Sequence, residues 1–433
     1  MSDPQTYTPP PNPGDTLRRV LVIKLGALGD FIQALGAMRV VRATHPSARI
    51  TLLTTEPFEA FAKACPYFDI VEADGRPRDL KGRADLIRRL RAAGYDMVYD
   101  FQNNDRTAQY FAAMTGKKPL WSGAAKGASH QHLNPNRAEM HNFDRLTEQL
   151  YHAGLRPGPP NNPTGWIEGQ ELTPSIEWVR PAFRNPPRFQ PEFFSLYGPY
   201  IIMIPGSSAE HPEKRWPLQR FAEIAKWVAD AGVTPVVVGG KAEGDIGNQI
   251  VRLEPRIKSI IGRTDLFQLA TLSERAALAI GGDTGPMHLA AAARAPGVCL
   301  FAQEWTPEMA YDLLTVWNPQ TRLGRAAPRG GPMILLHAAN LDEISVDDVK
   351  WAAISLGTLP TNIARPARPA PKPEPAPEGQ TASESPGESS GQPAGESSGE
   401  FSGESPPAGT ESVAAPEPVP ESDPAPRPEG SAT

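Results

Sequence analysis

Two stretches of this 433-residue chain follow one plan: an apolar run, closed by a glycine turn, opens into a helical segment. Arg19-Val-Leu-Val-Ile-Lys24 runs into Leu25-Gly-Ala-Leu-Gly-Asp30, and Leu278-Ala-Ile-Gly281 runs into Gly282-Asp-Thr-Gly-Pro286. A buried strand that turns on glycines into a helix is the βα unit of a parallel sheet, and each turn falls at the carboxyl end of its strand, where such sheets bind ligands. The chain is therefore expected to be an α/β protein with its chemistry at strand ends.

The alternation around each unit agrees. In the first half, strands are expected at Arg19–Lys24, Ala48–Leu53, Asp69–Glu72 and Tyr95–Phe101, with helices at Phe31–Thr44, Phe58–Ala64, Leu80–Ala93 and Arg106–Thr115 between and after them. From Arg156 to Tyr200 prolines and glycines are dense and no long period survives. The alternation then restarts with strands at Tyr200–Ile204, Val233–Val238, Lys258–Ile261, Leu278–Gly281 and Val298–Phe301. Helices are expected from Pro217 to Ala231, over Glu243–Leu253 and Leu266–Ser273, from Pro286 to about Ala293, and at Ser345–Leu356. Pro217 suits a first helical turn. The reading is two Rossmann-like α/β domains facing a cleft, residues 18–165 and 200–358. Residues 166–199 lie between them, with a flexible N-terminus (1–17) and a disordered tail (359–433).

The tail reading rests on composition. From Thr361 onward the chain is Pro, Glu, Ser, Gly and Ala, and its large apolar residues are only Ile363, Phe401, Val413 and Val419. Such a segment cannot offset the entropy of ordering itself. It also hides the charge of the body. Residues 361–433 carry 4 Lys/Arg and 12 Asp/Glu while the whole chain is −6, which leaves residues 1–360 at +2. That mild balance suits an anionic small molecule and is too weak for nucleic acid. Two distant cysteines, Cys65 and Cys299, exclude a disulfide framework or a cysteine zinc site and suit a cytoplasmic protein. The start of the chain is polar and Pro-rich, unlike a signal peptide, and no apolar run approaches the ~20 residues of a membrane span.

The candidate site residues sit at strand ends. Gly26 and Gly29 allow a sharp turn or a close backbone approach, and Asp30 is either a helix N-cap or a carboxylate acting as general base in the cleft. The spacing is not the GxGxxG dinucleotide fingerprint, which speaks against a nicotinamide-dependent oxidoreductase. In the second turn Pro286 opens a helix, so Thr284 or Gly285 would cap it, and its free N–H groups would offer a phosphate site. Asp283 would cap or orient a sugar hydroxyl. His288, early in the helix, is by itself more often a packed histidine than a catalyst. Pro205-Gly-Ser-Ser208 and Glu213-Lys-Arg-Trp-Pro217 place Ser207, Ser208, Lys214 and Arg215 beside another strand end, as a cationic grip on a diphosphate or as a solvated loop. Glu243, after Gly239-Gly240, would accept from ribose hydroxyls or favour the start of a helix. Together the signals point to a nucleotide-bearing ligand held by the second domain and worked on by a group from the first. The charged stretch Asp79–Arg91 is either a basic helix facing a membrane or, the favoured reading, a solvated helix face.

Three segments carry a resemblance: Val20 to Asp30, Pro205-Gly-Ser-Ser with Lys214-Arg-Trp-Pro217, and Asp283-Thr-Gly-Pro-Met-His-Leu-Ala290. From about Arg18 to Leu356 the chain resembles the ADP-heptose:lipopolysaccharide heptosyltransferases, inverting glycosyltransferases of family 9 with the GT-B fold. The resemblance implies Asp30 as catalytic base, Lys214 on the donor phosphates and Glu243 near the ribose. Asp283, Thr284 and Gly285 would form the diphosphate and sugar loop, with His288 beside it. It further implies an ADP-heptose donor, a lipid-linked glycan acceptor and no metal cofactor, consistent with the absence of a DxD pair. It places the enzyme in the cytoplasm, with peripheral contact to the inner membrane. The chain departs from many relatives at Ala302-Gln303, where they have a glycine, and at Met333-Ile-Leu-Leu-His337, where they carry a cysteine-containing segment. A non-catalytic nucleotide-sugar-binding or scaffolding protein of the same fold is the alternative, distinguished by binding without turnover.

Overall fold

The computed structural model describes residues 17–155, 173–184, 187–208, 210–303 and 326–366. The first half runs β1 (Arg19–Ile23), α1 (Leu28–Thr44), β2 (Arg49–Leu53), α2 (Glu56–Lys63), β3 (Ile70–Glu72), α3 (Leu80–Ala92), β4 (Met97–Asp100), α4 (Asp105–Ala113), β5 (Leu120–Gly123), β6 (His130–Gln131) and α5 (Asn142–His152). The second runs β7 (Tyr200–Ile204), α6 (Leu218–Asp230), β8 (Thr234–Val237), α7 (Gly244–Leu253), β9 (Lys258–Ser259), α8 (Leu266–Arg275), β10 (Leu278–Gly282), α9 (Gly285–Ala292), β11 (Gly297–Ala302), β12 (Met333–Ala338) and α10 (Val346–Ser355).

Each half is one six-stranded parallel sheet, in the orders β3-β2-β1-β4-β5-β6 and β12-β11-β10-β7-β8-β9. The central strands read as near-continuous apolar runs because helices cover both faces: all of β7 is buried, and all of β1 except Arg19. In the first sheet the chain leaves β1 toward β2 and returns on its other side as β4; in the second it leaves β7 toward β8 and returns as β10. These reversals open a crevice at the carboxyl ends of β1 and β4 and another at those of β7 and β10.

The two halves share a core. Phe61 of α2 packs on Trp178, from the connecting segment, at 4.9 Å between ring centroids and on Phe267 of α8 at 5.3 Å. With Phe61 only 1% exposed, truncation to Ala would cost about 3–5 kcal/mol. The connecting segment, in which the sequence shows no long period, folds where described into 3-10 turns at Glu177–Arg184, Pro187–Phe189 and Pro191–Phe194. Val179, Phe189 and Phe194 are buried. Its prolines break the α period without preventing burial.

Several expected boundaries are corrected. Leu17, grouped with the flexible N-terminus, is buried in the core, while residues 1–16 lie outside the described ones. The tail reading placed the end of the body at residue 358, yet the packed chain reaches 366. Ile363 is 7% exposed in the second-half core, and Trp227 Nε1 donates to the Ala364 carbonyl at 2.7 Å. One apolar anchor and one indole bond suffice there, which a composition average dilutes. The remainder of the tail lies outside the described residues. Pro217 sits one position before α6, as its N-cap, rather than within the first turn.

Candidate active site

The first crevice is built on charge. Lys24, at the end of β1, is 2% exposed, and its ammonium donates to the Phe101 carbonyl at 3.0 Å. Burial pushes this ammonium down, and the Asp30 carboxylate is the largest influence opposing it. The turn is pinned by Gln102, whose side chain accepts from the Leu25 N–H at 2.8 Å, and by Thr55, whose hydroxyl donates to the Leu25 carbonyl. Gly26 takes a φ of +111°, a region that favours glycine. Asp30 follows in the first turn of α1 and is exposed. It is not the N-cap, which is Ala27. Asn142, at the start of α5, reaches Asp30 Oδ1 at 3.5 Å and accepts from Arg145 at 2.8 Å. Burial also lowers Arg145, again offset by Asp30. Burial and the Arg145 charge lower Arg137 to about 10, so it stays cationic at neutral pH. One exposed carboxylate thus faces a crevice carrying Lys24, Arg137 and Arg145.

The second crevice is balanced internally. Lys214 donates to Asp283 Oδ2 at 2.7 Å and to the Asp283 carbonyl at 3.2 Å, and His288 Nε2 lies 3.6 Å from Asp283 Oδ1. Burial alone would raise the Asp283 carboxyl; His288 and Lys214 outweigh it and hold it at about 2. An ammonium has three donors, so two bonds to Asp283 leave one N–H for a ligand. Thr284 is the N-cap of α9, but its hydroxyl makes no cap bond and is buried without a partner. Pro286 contributes no N–H, and the Met287 and His288 amides turn back to the Thr284 carbonyl. Among the first residues of α9, Gly285 therefore holds the amide left for an anion. Glu243 folds over the ends of β7 and β8, accepting from the Gly240 N–H at 2.6 Å. A Cβ on Gly206 would lie 1.5 Å from Glu243 Oε1, so this position of Glu243 requires glycine. Ser207 is 9% exposed and spent on the loop: its hydroxyl donates to the His211 carbonyl at 2.6 Å and accepts from Arg215 at 3.0 Å. Ser208 is exposed.

The two crevices meet at their glycine turns. A Cβ on Gly29 would lie 2.6 Å from His288 Cδ2, and one on Gly285 would lie 2.6 Å from Leu28 Cβ. The first turn of α1 and the start of α9 therefore touch, and Gln33 Nε2 reaches His288 Nδ1 at 3.2 Å. His288 thus bridges Gln33 of the first half and Asp283 of the second. A second link runs from α5 to the segment before β12. Arg329 pairs with Asp144 at 2.9 and 3.2 Å and covers the Phe143 ring at 4.7 Å. His141 Nε2 donates to the Ala327 carbonyl at 2.9 Å while its Nδ1 accepts from the Phe143 N–H at 3.1 Å. Those two roles define a neutral imidazole, and burial, reinforced by Arg329, lowers His141 well below its ordinary value.

Gly29, Asp30, Lys214, Asp283, Thr284, Gly285 and His288 belong to the segments that meet at this junction; Glu243 lies against the glycines that follow β7 and β8, Ser208 is exposed, and Ser207 holds its loop. Sequence reasoning missed Lys24, Gln33, Asn142 and Arg145. The last two lie on α5, whose buried Phe143, Leu146, Thr147 and Leu150 recur at helical spacing, a signal present but not read.

Among the described residues, one cluster has the atoms for a metal ion: His132, Glu148 and His152. Arg137 Nε donates to His132 Nδ1 at 3.2 Å, which puts the imidazole proton on Nε2, toward Glu148 at 3.2 Å. A metal-bound histidine needs the reverse, a free Nε2 and a donating Nδ1. The cluster is better matched to protons: burial would raise Glu148, but bonds from His132, His152 and Asn134 carry it well below the carboxylate range.

Comparison with known proteins agrees with this architecture. A putative glycosyltransferase of Haemophilus influenzae is 23% identical over 344 residues, covering 78% of this chain and 96% of its own. Lipopolysaccharide heptosyltransferase 2 of Escherichia coli is 24% identical, covering 68% and 86%. Among solved structures, a family 9 glycosyltransferase from Veillonella parvula superposes with a TM-score of 0.61 at 21% identity, covering 78% of this chain and 97% of its own. The E. coli ADP-heptose LPS heptosyltransferase II superposes at 0.59 and 20% identity, covering 78% and 98%. The model of glycosyltransferase family 9 (heptosyltransferase) matches residues 83–311, more than half of the sequence, and the chain belongs to that family.

Proposed function

We propose that this glycosyltransferase moves heptose from ADP-heptose to a lipopolysaccharide-core or related glycan acceptor, with inversion at the anomeric carbon. The first half holds the acceptor and the second the donor. The observation that carries the reading is the contact of the two glycine turns, which packs the first turn of α1, where Asp30 stands, against the start of α9, whose preceding loop carries the Lys214–Asp283 pair.

In this reading Asp30 takes the proton from an acceptor hydroxyl as its oxygen attacks the anomeric carbon. The bond from that carbon to the diphosphate oxygen breaks, and its electron pair leaves with ADP. The remaining N–H of Lys214, the Gly285 amide and the Thr284 hydroxyl stabilise the departing charge, preorganised rather than recruited from solvent. Glu243 turns from the Gly240 amide to the ribose hydroxyls when the donor enters. A lysine and a helix terminus supply what a metal would, so no metal ion is required. Lys24, Arg137 and Arg145 fit an acceptor that is itself anionic near the reacting hydroxyl, and Ser207 acts by holding the loop on which Lys214 stands. Among the described residues no helix is long and apolar enough to cross a membrane. A lipid-linked acceptor then implies work at the cytoplasmic face of the inner membrane.

Thermal stabilisation across ADP, UDP, GDP and NAD tests the donor class, because a ligand of the folded state at a hundredfold excess over its Kd adds about 2.7 kcal/mol. A shift with ADP alone is expected. A shift with UDP or GDP instead keeps glycosyl transfer and removes heptose, and one with NAD alone overturns the reading.

A further inference from the structure

The outward face of α3 is unusual for a helix on a parallel sheet. Leu86 and Leu90 are buried against the sheet. On the outer side a shallow groove runs along the helix, lined by Leu80, Arg83, Ala84, Ile87, Arg88 and Arg91. Leu80, Ala84, Ile87 and Arg91 follow three- and four-residue spacing, so they form one stripe. Leu80 is 83% exposed at the first helical position. What sets it apart is its setting among cations.

The charge around this stripe is one-sided. From Asp74 to Arg91 the chain carries seven cations against three carboxylates. Each carboxylate is already engaged: Asp79 caps α3 through the Gly82 N–H at 2.7 Å, Asp85 pairs with Arg88, and Asp74 pairs with Arg89. Arg83 bonds the Gln109 side chain and Arg91 the Ala113 carbonyl, both neutral, so their charges stand uncompensated. Lys117 and Lys118, after α4, are also exposed. This face alone exceeds the net charge of the whole folded body.

We propose that the α3 face docks on an anionic phospholipid surface, its arginines and lysines on the lipid phosphates and Leu80 entering the boundary between headgroup and acyl chain. Arginines beside an isolated exposed leucine match such an interface, whereas a soluble protein partner would favour a continuous apolar centre. The inference rests on the lipid-linked acceptor reading for its purpose but not for its test.

The test is flotation of the full chain with vesicles of phosphatidylcholine alone or mixed with phosphatidylglycerol. Binding is expected only to the mixed vesicles and weakens as salt rises, because surface charge is screened over about 10 Å at 0.1 M. The double variant Leu80→Asp, Lys81→Glu places acidic residues in the first turn of α3, where they favour the helix, so folding is retained. It changes the local charge by three units, which at about fivefold per unit predicts roughly hundredfold weaker binding. Transfer to a deacylated, water-soluble acceptor is expected to be unchanged in this variant, which reads the proposed function separately from the docking. Equal binding of variant and parent, equal binding to both vesicle types, or a dimer in light scattering that the variant dissociates without any vesicle binding would each overturn the proposal.

Discussion

The two crevices solve opposite electrostatic problems with the same βα plan. The second is nearly neutral as it stands: Asp283 is matched by Lys214 and His288, and Glu243 by the Gly240 amide. The first gathers Lys24, Arg137 and Arg145 around the single exposed Asp30, with Asp100 buried behind it. A site that satisfies its own charges can exchange one partner for a ligand at little cost. A site with surplus cations is held at a desolvation penalty until an anion arrives. Under the proposed function, the neutral crevice suits a donor whose product must leave, and the cationic one suits an anionic acceptor.

Asp30→Asn gives the largest break in this comparison. The side chain is exposed, so the fold survives, while turnover is expected to fall about 10²–10⁴-fold with donor affinity unchanged. Full turnover in steady-state assays would remove the base from the first crevice. Lys214→Ala comes next. It removes a donor to the leaving group, with an expected loss of about 10²–10³ in kcat. It also takes the Lys214 ammonium away from the buried Asp283 carboxylate, so the variant should melt earlier as well. Arg145→Gln is the counterpart in the cationic crevice. It is expected to raise the acceptor KM and leave the donor KM alone; the opposite pattern would reverse the assignment of the two crevices.

Much of the second crevice was legible in the sequence, because its parts are contiguous. Gly282-Asp-Thr-Gly-Pro286 writes a strand end, a cap and a helix start in one run, and Lys214 lies just before a proline that fixes the next helix. The first crevice was legible only at Asp30. Lys24, at the end of β1, reads in sequence only as the close of an apolar run; the other parts come from β4, α5 and the loop carrying Arg137, far apart in sequence and brought together by the β1–β4 crossover. Spacing cannot signal a pairing that only the sheet order creates. The role of the glycines was read in part. Gly29 was read as a sharp turn or a ligand-approach position and Gly285 as a helix cap in the phosphate loop; both also serve the approach of α1 to α9. The GxxGD and GDTG patterns look the same for either purpose. Glu243 illustrates the reverse case: both sequence readings, helix-start carboxylate and ribose acceptor, use the position where it is found.

Gly29→Ala tests that junction directly. The new methyl group would meet the His288 ring at 2.6 Å, so either His288 leaves Asp283 or α1 shifts from α9. Overpacking of this kind costs about 1–3 kcal/mol. The expected outcome is a lower Tm together with a loss of turnover larger than the loss of donor binding. The paired variant Gly29→Ala, His288→Ala should recover stability if the clash is the cause, and calorimetry of the two variants decides it.

The smallest expected effect is a difference in acid sensitivity between two linkages. Asp283 is held at about 2, below its unfolded value, so the stability it contributes is complete above about pH 4. That contribution, on the order of 2 kcal/mol, is lost as the pH falls from there through about 2. His141 is shifted in the same direction, but from a higher starting value: burial and Arg329 keep it neutral in the fold, while the unfolded chain binds a proton near pH 6.5. Its contribution is therefore present above that pH and is lost as the pH falls below it, by about 1 kcal/mol between pH 7 and pH 5.5. The link from α5 to Ala327 should weaken in mild acid while the Asp283 group, which ties Lys214 to the α9 turn, holds. His141→Asn keeps a capping side chain for the Phe143 amide but does not titrate, so its stability should fall less between those two pH values. Equal pH dependence of variant and parent in denaturant melts would mean that His141 is not the group through which mild acid reaches the junction.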